Sequence, residues 1–120
     1  MKKVLIIEDE QYMAMILKAI LVKTFNFDVE VVHSVKDGIE KMLNHFDLII
    51  TDIHLGDGTA HEMLPSLTES RKNGSKVILM SAYEKNTDKH RINSGEVDLF
   101  IEKPFTREKL IESLGELNLV

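Results

Sequence analysis

Brief apolar runs and longer amphipathic stretches alternate along this chain. Lys3 to Ile7, Asp28 to His33, Leu48 to Thr51, Lys76 to Met80 and Val97 to Ile101 are mostly short Val/Ile/Leu runs, the pattern of strands covered on both faces. Between them the period changes to helical. Met13, Ile16, Leu17 and Ile20 form one apolar stripe, and Val35, Ile39, Met42 and Leu43 form a second behind Ser34 as N-cap; both read as core. A third helix follows Gly58 and carries Met63, Leu64 and Leu67. Pro65 is tolerable there in the first turns and a source of kinking beyond them, and Gly74 suits the C-cap. A fourth, over 87–93, is mostly polar with Ile92 as its one large aliphatic residue, so it should be the loosest element. Thr106 announces the last helix, with Leu110, Ile111, Leu114 and Leu117. Five strands alternating with five helices predict an α/β fold with a parallel sheet and helices on both faces.

Composition narrows the function classes. At 120 residues the chain fits one domain, and without cysteine it has no disulfide, thiolate catalysis or cysteine zinc site. Net charge is −5 and basic residues are scattered, so direct nucleic-acid binding is not expected. The apolar stretch behind Met1-Lys2-Lys3 is too short for a secretory signal, and Lys18 interrupts Met13 to Val22. A cytoplasmic protein that does not span a membrane is the expectation.

The chemistry gathers at strand ends. The first run closes in Glu8-Asp9-Glu10, the third in Asp52, the fourth in Ser81, and the fifth is followed by Lys103-Pro104. If these strands are neighbours, the ends meet over one sheet edge, where open α/β folds bind ligands. Two carboxylates about 4 Å apart repel by roughly 4 kcal/mol at an effective dielectric near 20, so such a cluster wants a counter-charge. Mg²⁺ with oxygen ligands answers this, and Lys103 is the second cation. Ser81 adds a hydroxyl donor to a bound anion. Together the set describes phosphoryl transfer onto Asp52. Taken singly, each residue has a plainer role: acids favouring a helix N-terminus, Asp52 as a cap, Lys103 as a solvated lysine, Ser81 as a strand-end serine, Phe100 as a core aromatic. Only their combination outweighs those readings.

That combination, over all of residues 1–120, resembles the receiver domain of two-component response regulators. The resemblance implies a single flavodoxin-like (βα)5 domain, doubly wound, with strand order 2-1-3-4-5. It makes Asp52 the phosphoacceptor and Asp9 the direct Mg²⁺ ligand, with Glu8 acting through water and the His54 backbone carbonyl completing the set; Mn²⁺ would substitute. It makes Ser81 the switch hydroxyl, Lys103 the phosphoryl-binding lysine before a cis Pro104, and Phe100 the aromatic switch residue. Phosphorylation would draw Ser81 and Lys103 inward and reshape the face of the fourth helix, fifth strand and fifth helix. The implied partners are a sensor histidine kinase or histidine phosphotransfer protein and a downstream output domain or target, with homodimerisation through that face left open.

His54 and Tyr83 flank the acceptor in this reading and would tune phosphoryl lifetime, while His33, His45, His61 and His90 lack zinc-ligand spacing. Such a domain catalyses its own modification and is a switch rather than a conventional enzyme. Two alternatives stand beside it. One is a degenerate receiver that docks a partner without phosphorylation. The other is a Mg²⁺-dependent aspartyl-phosphate phosphohydrolase, disfavoured because His54 stands where an adjacent general acid is needed. With Leu119-Val120 just past the last helix, the receiver either stands alone or once preceded an output domain.

Overall fold

A computed structural model describes residues 1–82 and 95–120. Five strands form one parallel sheet: β1 Lys3–Ile7, β2 Asp28–Val32, β3 Leu48–Asp52, β6 Lys76–Ala82 and β7 Leu99–Lys103, in the spatial order β2-β1-β3-β6-β7. This is the flavodoxin-like order, and the chain switches direction across the sheet between β1 and β3. Around it lie α1 Gln11–Phe25, α2 Val35–Lys41, α3 Ala60–Lys72 and α4 Arg107–Glu116. The helix expected over 87–93, and Tyr83, fall outside the described residues.

Strand alternation divides the core in two. Val4, Ile6, Leu48, Ile50, Ile78, Met80 and Ile101 pack with Ala14, Leu17 and Leu21 of α1 and Leu110 and Leu114 of α4. Leu5, Ile7, Ile49, Val77 and Leu79 pack on the other face with Val35 of α2 and Met63 and Leu67 of α3. Each fully buried Leu or Ile contributes roughly 1.5–3 kcal/mol. On α2, Gly38 sits so close to the sheet that an added Cβ would lie 2.9 Å from Ile7 Cδ1.

Several boundaries differ from the sequence reading. The stripe of α1 is rotated: Ile16 is 37% exposed, and Ala14, Leu17 and Leu21 point inward. This helix is apolar on most of its surface, so the sheet rather than the helix sets its phase. Leu43 is 86% exposed because α2 closes at Lys41 and the chain turns away after Met42. The second strand stops at Val32, short of His33, and the last is displaced to Leu99–Lys103. The loop after Asp52 contains a small antiparallel pair, β4 His54–Leu55 and β5 Gly58–Thr59. Pro65 is the sixth residue of α3, where its ring replaces the N–H that would reach the His61 carbonyl, and the helix still continues to Lys72. The caps follow expectation: Ser34 accepts from Asp37 N–H, Thr106 from Lys109 N–H, and Gly74 takes φ +101 just after α3.

Candidate functional site

Pairing in register brings the charged strand ends together. Ile7 lies beside Thr51, Asp52 beside Met80, and Ala82 beside Lys103. Glu8, Asp52 and Lys103 each follow by two residues a side chain of the α1/α4 core face, Ile6, Ile50 and Ile101, so alternation puts all three on that side of the sheet edge. Ser81 has the parity of Val77 and Leu79 and belongs to the other side.

Lys103 is the centre of the cluster. Its ammonium donates to Glu8 Oε1 at 2.7 Å and to Asp52 Oδ2 at 2.6 Å. Glu8 is fully buried, and its second oxygen accepts the Glu10 N–H at 3.1 Å. Asp52 Oδ1 accepts the His54 N–H at 3.3 Å. Asp9 is exposed, yet one carboxylate oxygen from each of Glu8, Asp9 and Asp52 lies within 4.8 Å of the others. The β4–β5 turn stands over this group, since a Cβ on Gly56 would lie 3.9 Å from Asp9 Oδ2.

Three carboxylates therefore face one ammonium. Burial, the largest influence on Glu8, pushes its carboxyl above the usual range; the charge of Asp52 adds to that, while the hydrogen bonds from Lys103 and Glu10 oppose it. Burial pulls Lys103 down, but the hydrogen bonds and charges of Asp52 and Glu8 together hold it above the usual lysine value. Both shifts run toward holding protons, as an excess of negative charge requires. A hard divalent cation satisfies the same demand with the same oxygen donors, so the residues present fit Mg²⁺.

The remaining expected residues are placed as follows. Ser81 is buried, and its hydroxyl has no hydrogen-bond partner among the described residues. The Lys103–Pro104 peptide is cis. Phe100 is partly buried, pairs in register with Leu79 and packs on the α2/α3 core. It also borders a surface groove of about 410 Å³ with Pro104 and Phe105. His54 opens β4 with an exposed side chain.

Two supports escaped the sequence reading. Asp57, in the β4–β5 turn, accepts the Val35 and Lys36 N–H groups at 2.8 and 3.2 Å, capping α2 from 22 residues away. These bonds hold its carboxyl below the usual range. His33 Nδ1 lies 2.8 Å from the Glu8 carbonyl. Neither contact has a local sequence signal beyond the residue type.

A family model described as the response regulator receiver domain matches residues 4–115. The response regulator ArlR of Staphylococcus saprophyticus is 32% identical over 112 residues, covering 92% of this chain and 50% of that protein. ArlR of Staphylococcus aureus strain Mu50 is 31% identical over the same length and shares. The chain thus spans about half the length of the curated relatives it matches. Among solved structures, the response regulator TrrA of Thermotoga maritima in complex with Mg²⁺-BeF superposes with a TM-score of 0.83 at 24% identity, covering 98% of this chain and 99% of that one. A sensor protein from Polaromonas sp. JS666 gives 0.80 at 27% identity, covering 96% and 94%.

Proposed function

Because the chain belongs to the response regulator receiver domain family, we propose that residues 1–120 form one phosphoryl-accepting switch of a two-component system, with Asp52 as the acceptor. The observation that carries this reading is the Lys103 ammonium held between Glu8 and Asp52, 2.7 and 2.6 Å away; near the end of β6 the buried Ser81 hydroxyl has no partner among the described residues. That arrangement supplies a nucleophile, a fixed cation and an unused donor.

In the proposed reaction an Asp52 carboxylate oxygen forms the new O–P bond as the P–N bond of a phosphohistidine breaks, and the donor imidazole leaves with the electron pair. Glu8, Asp9 and Asp52, with the His54 carbonyl, would hold Mg²⁺, or Mn²⁺ in its place. When bound, the ion neutralises charge on the phosphoryl oxygens. Lys103 exchanges part of its contact with Asp52 for a phosphoryl oxygen, which keeps the buried ammonium paired throughout. Ser81 donates to another oxygen and so satisfies its hydroxyl. Phe100 follows Ser81 inward, because it lies on the same side of the sheet and is only partly buried. His54 and Tyr83 set how long the phosphoryl group survives.

The phosphodonor in this reading is a sensor histidine kinase or phosphotransfer protein. The readout belongs to an output domain or a separate target, and the setting is cytoplasmic. Among the described residues no helix is long and apolar enough to cross a membrane.

The test is incubation with Mg²⁺ and acetyl phosphate followed by intact mass, for wild type and Asp52→Asn. One labile phosphoryl adduct in wild type only, abolished by EDTA, is the expected result. An absence of adduct together with an absence of Mg²⁺ binding would replace this reading with a docking module that works unphosphorylated.

A further inference from the structure

Four hydrogen bonds fasten Glu8, the residue from which the acid cluster is built. Its N–H donates to the Val32 carbonyl at 3.0 Å. Its two carboxylate oxygens take Lys103 Nζ at 2.7 Å and the Glu10 N–H at 3.1 Å. Its own carbonyl, 2.8 Å from His33 Nδ1, accepts from the imidazole. A carbonyl oxygen only accepts, so Nδ1 carries the proton in this contact. The Val32 and Glu10 contacts are made by backbone that any variant keeps, and the Lys103 contact belongs to the proposed chemistry. Among the described residues, the His33 contact is the one made by a side chain outside it.

We infer that His33 is a positioning residue of the phosphoacceptor site: by holding the Glu8 carbonyl it fixes the turn through Glu8, Asp9 and Glu10, and with it the place from which the exposed Asp9 carboxylate projects. The inference rests on the proposed role of that turn in holding a divalent cation. The geometry makes the link direct. The peptide unit whose oxygen His33 grips is the Glu8–Asp9 peptide, so its orientation sets the first backbone dihedral leading to Asp9. Asp9 itself is exposed, leaving its direction to this backbone rather than to packing. The grip comes from the far end of β2, 25 residues away, and clamps the β1 and β2 ends to each other beyond the last in-register pair, Ile7 with Val32.

The experiment compares wild type, His33→Ala and His33→Asn over the full chain by Mg²⁺ titration calorimetry, with thermal melting in EDTA as the second readout. Asparagine carries its amide nitrogen on Cγ, as histidine carries Nδ1, and can remake the bond. His33→Ala should bind Mg²⁺ about five-fold more weakly, because the turn that presents Asp9 is no longer pre-organised, with its EDTA melting temperature lowered by no more than about 5 °C, the range expected for one lost hydrogen bond. His33→Asn should return to within about two-fold. Asp52 modification by acetyl phosphate should need more Mg²⁺ in His33→Ala but reach the wild-type rate at saturation. Unchanged Mg²⁺ affinity in His33→Ala overturns the inference. So does an asparagine variant as weak as the alanine one, or an affinity loss accompanied by a metal-free melting temperature lowered by well over about 5 °C. If folded wild type itself takes up no Mg²⁺, the reading beneath the inference fails, a result distinct from wild type binding and all three proteins binding equally.

Discussion

At the N-terminal edge of the sheet Asp47 and Asp98 each meet donors of their own. Asp47 accepts the Lys3 N–H at 2.8 Å while its backbone pairs with Lys3 and Lys76, and the Ser75 hydroxyl reaches the Phe46 carbonyl. Asp98 takes the Val77 N–H at 2.7 Å and both arms of Arg71 at 3.1 and 3.2 Å, and Arg71 also holds the Gly95 carbonyl. At the C-terminal edge one lysine serves two carboxylates, a third acid stands within 4.8 Å, and a buried hydroxyl has no partner among the described residues. Both edges terminate the same strands, so the fold does not force the contrast. Where polar groups are paired one to one they hold the strands in place. Where they are gathered in excess of their partners, the described residues leave a demand for positive charge and for an acceptor, the pattern on which the proposed function rests.

The sharpest way to break this contrast is to damage the satisfied edge. Asp98→Ala strands the Arg71 guanidinium and the Val77 N–H together, and should cost about 3 kcal/mol in urea unfolding. Mg²⁺ affinity and Asp52 modification should survive it. A large loss of either in folded protein would show that the two edges are not separable. Next comes Lys103→Met, which leaves buried Glu8 facing Asp52 without an ammonium. We expect a cost of about 2 kcal/mol in EDTA, shrinking when Mg²⁺ is supplied because ligand binding to the folded state adds stability by mass action. The Asp98→Ala deficit should not shrink. Equal deficits with and without Mg²⁺ in Lys103→Met would mean that lysine and cation do not answer the same charge.

A smaller effect of opposite sign is expected from Asp9→Asn. Removing one of three crowded carboxylates relieves repulsion, but Asp9 is exposed and screened, so the metal-free gain should be only about 0.5 kcal/mol. In Mg²⁺ the order reverses, since wild type then gains stability that the variant does not. A variant less stable than wild type in EDTA would remove the claim that this edge is overcharged.

Much of this was legible along the chain because parallel strands announce themselves as apolar runs, and strand ends are where side chains leave the core. By that logic Glu8, Asp52 and Lys103 are expected together, and their side chains do meet, while Ser81 lies on the other side of the sheet edge. The errors have physical causes. Of the α1 stripe Met13, Ile16, Leu17 and Ile20, Leu17 is fully buried and Ile20 packs on the core, but the buried face is centred on Ala14, Leu17 and Leu21, which leaves Ile16 at the surface. In α2 the apolar spacing continues two residues past a helix that lasts two turns, so Leu43 lies beyond it and is exposed. The Asp57 cap and the His33 grip are contacts across 22 and 25 residues, beyond the reach of any local pattern.

The least disruptive probe is pH. Glu8 is held above its ordinary value of 4.5, chiefly by burial. In the window from about 4.5 upward to its folded value, the folded chain keeps a proton that the unfolded chain has released. Stability therefore falls as pH rises through that window, and the contribution is fully present only below it. Lys103 is also raised, from 10.5, so its contribution persists until pH passes that higher folded value and adds no slope in the acid range. Glu8→Gln has no such proton to hold. Urea unfolding in EDTA across the acid range should show Glu8→Gln gaining on wild type as pH rises, whereas Ser75→Ala, which removes a hydroxyl at the satisfied edge and no charge, should run parallel to wild type. If Glu8→Gln also runs parallel, Lys103 compensates the burial of Glu8 completely, and the excess charge of this edge rests on Asp9 and Asp52 alone.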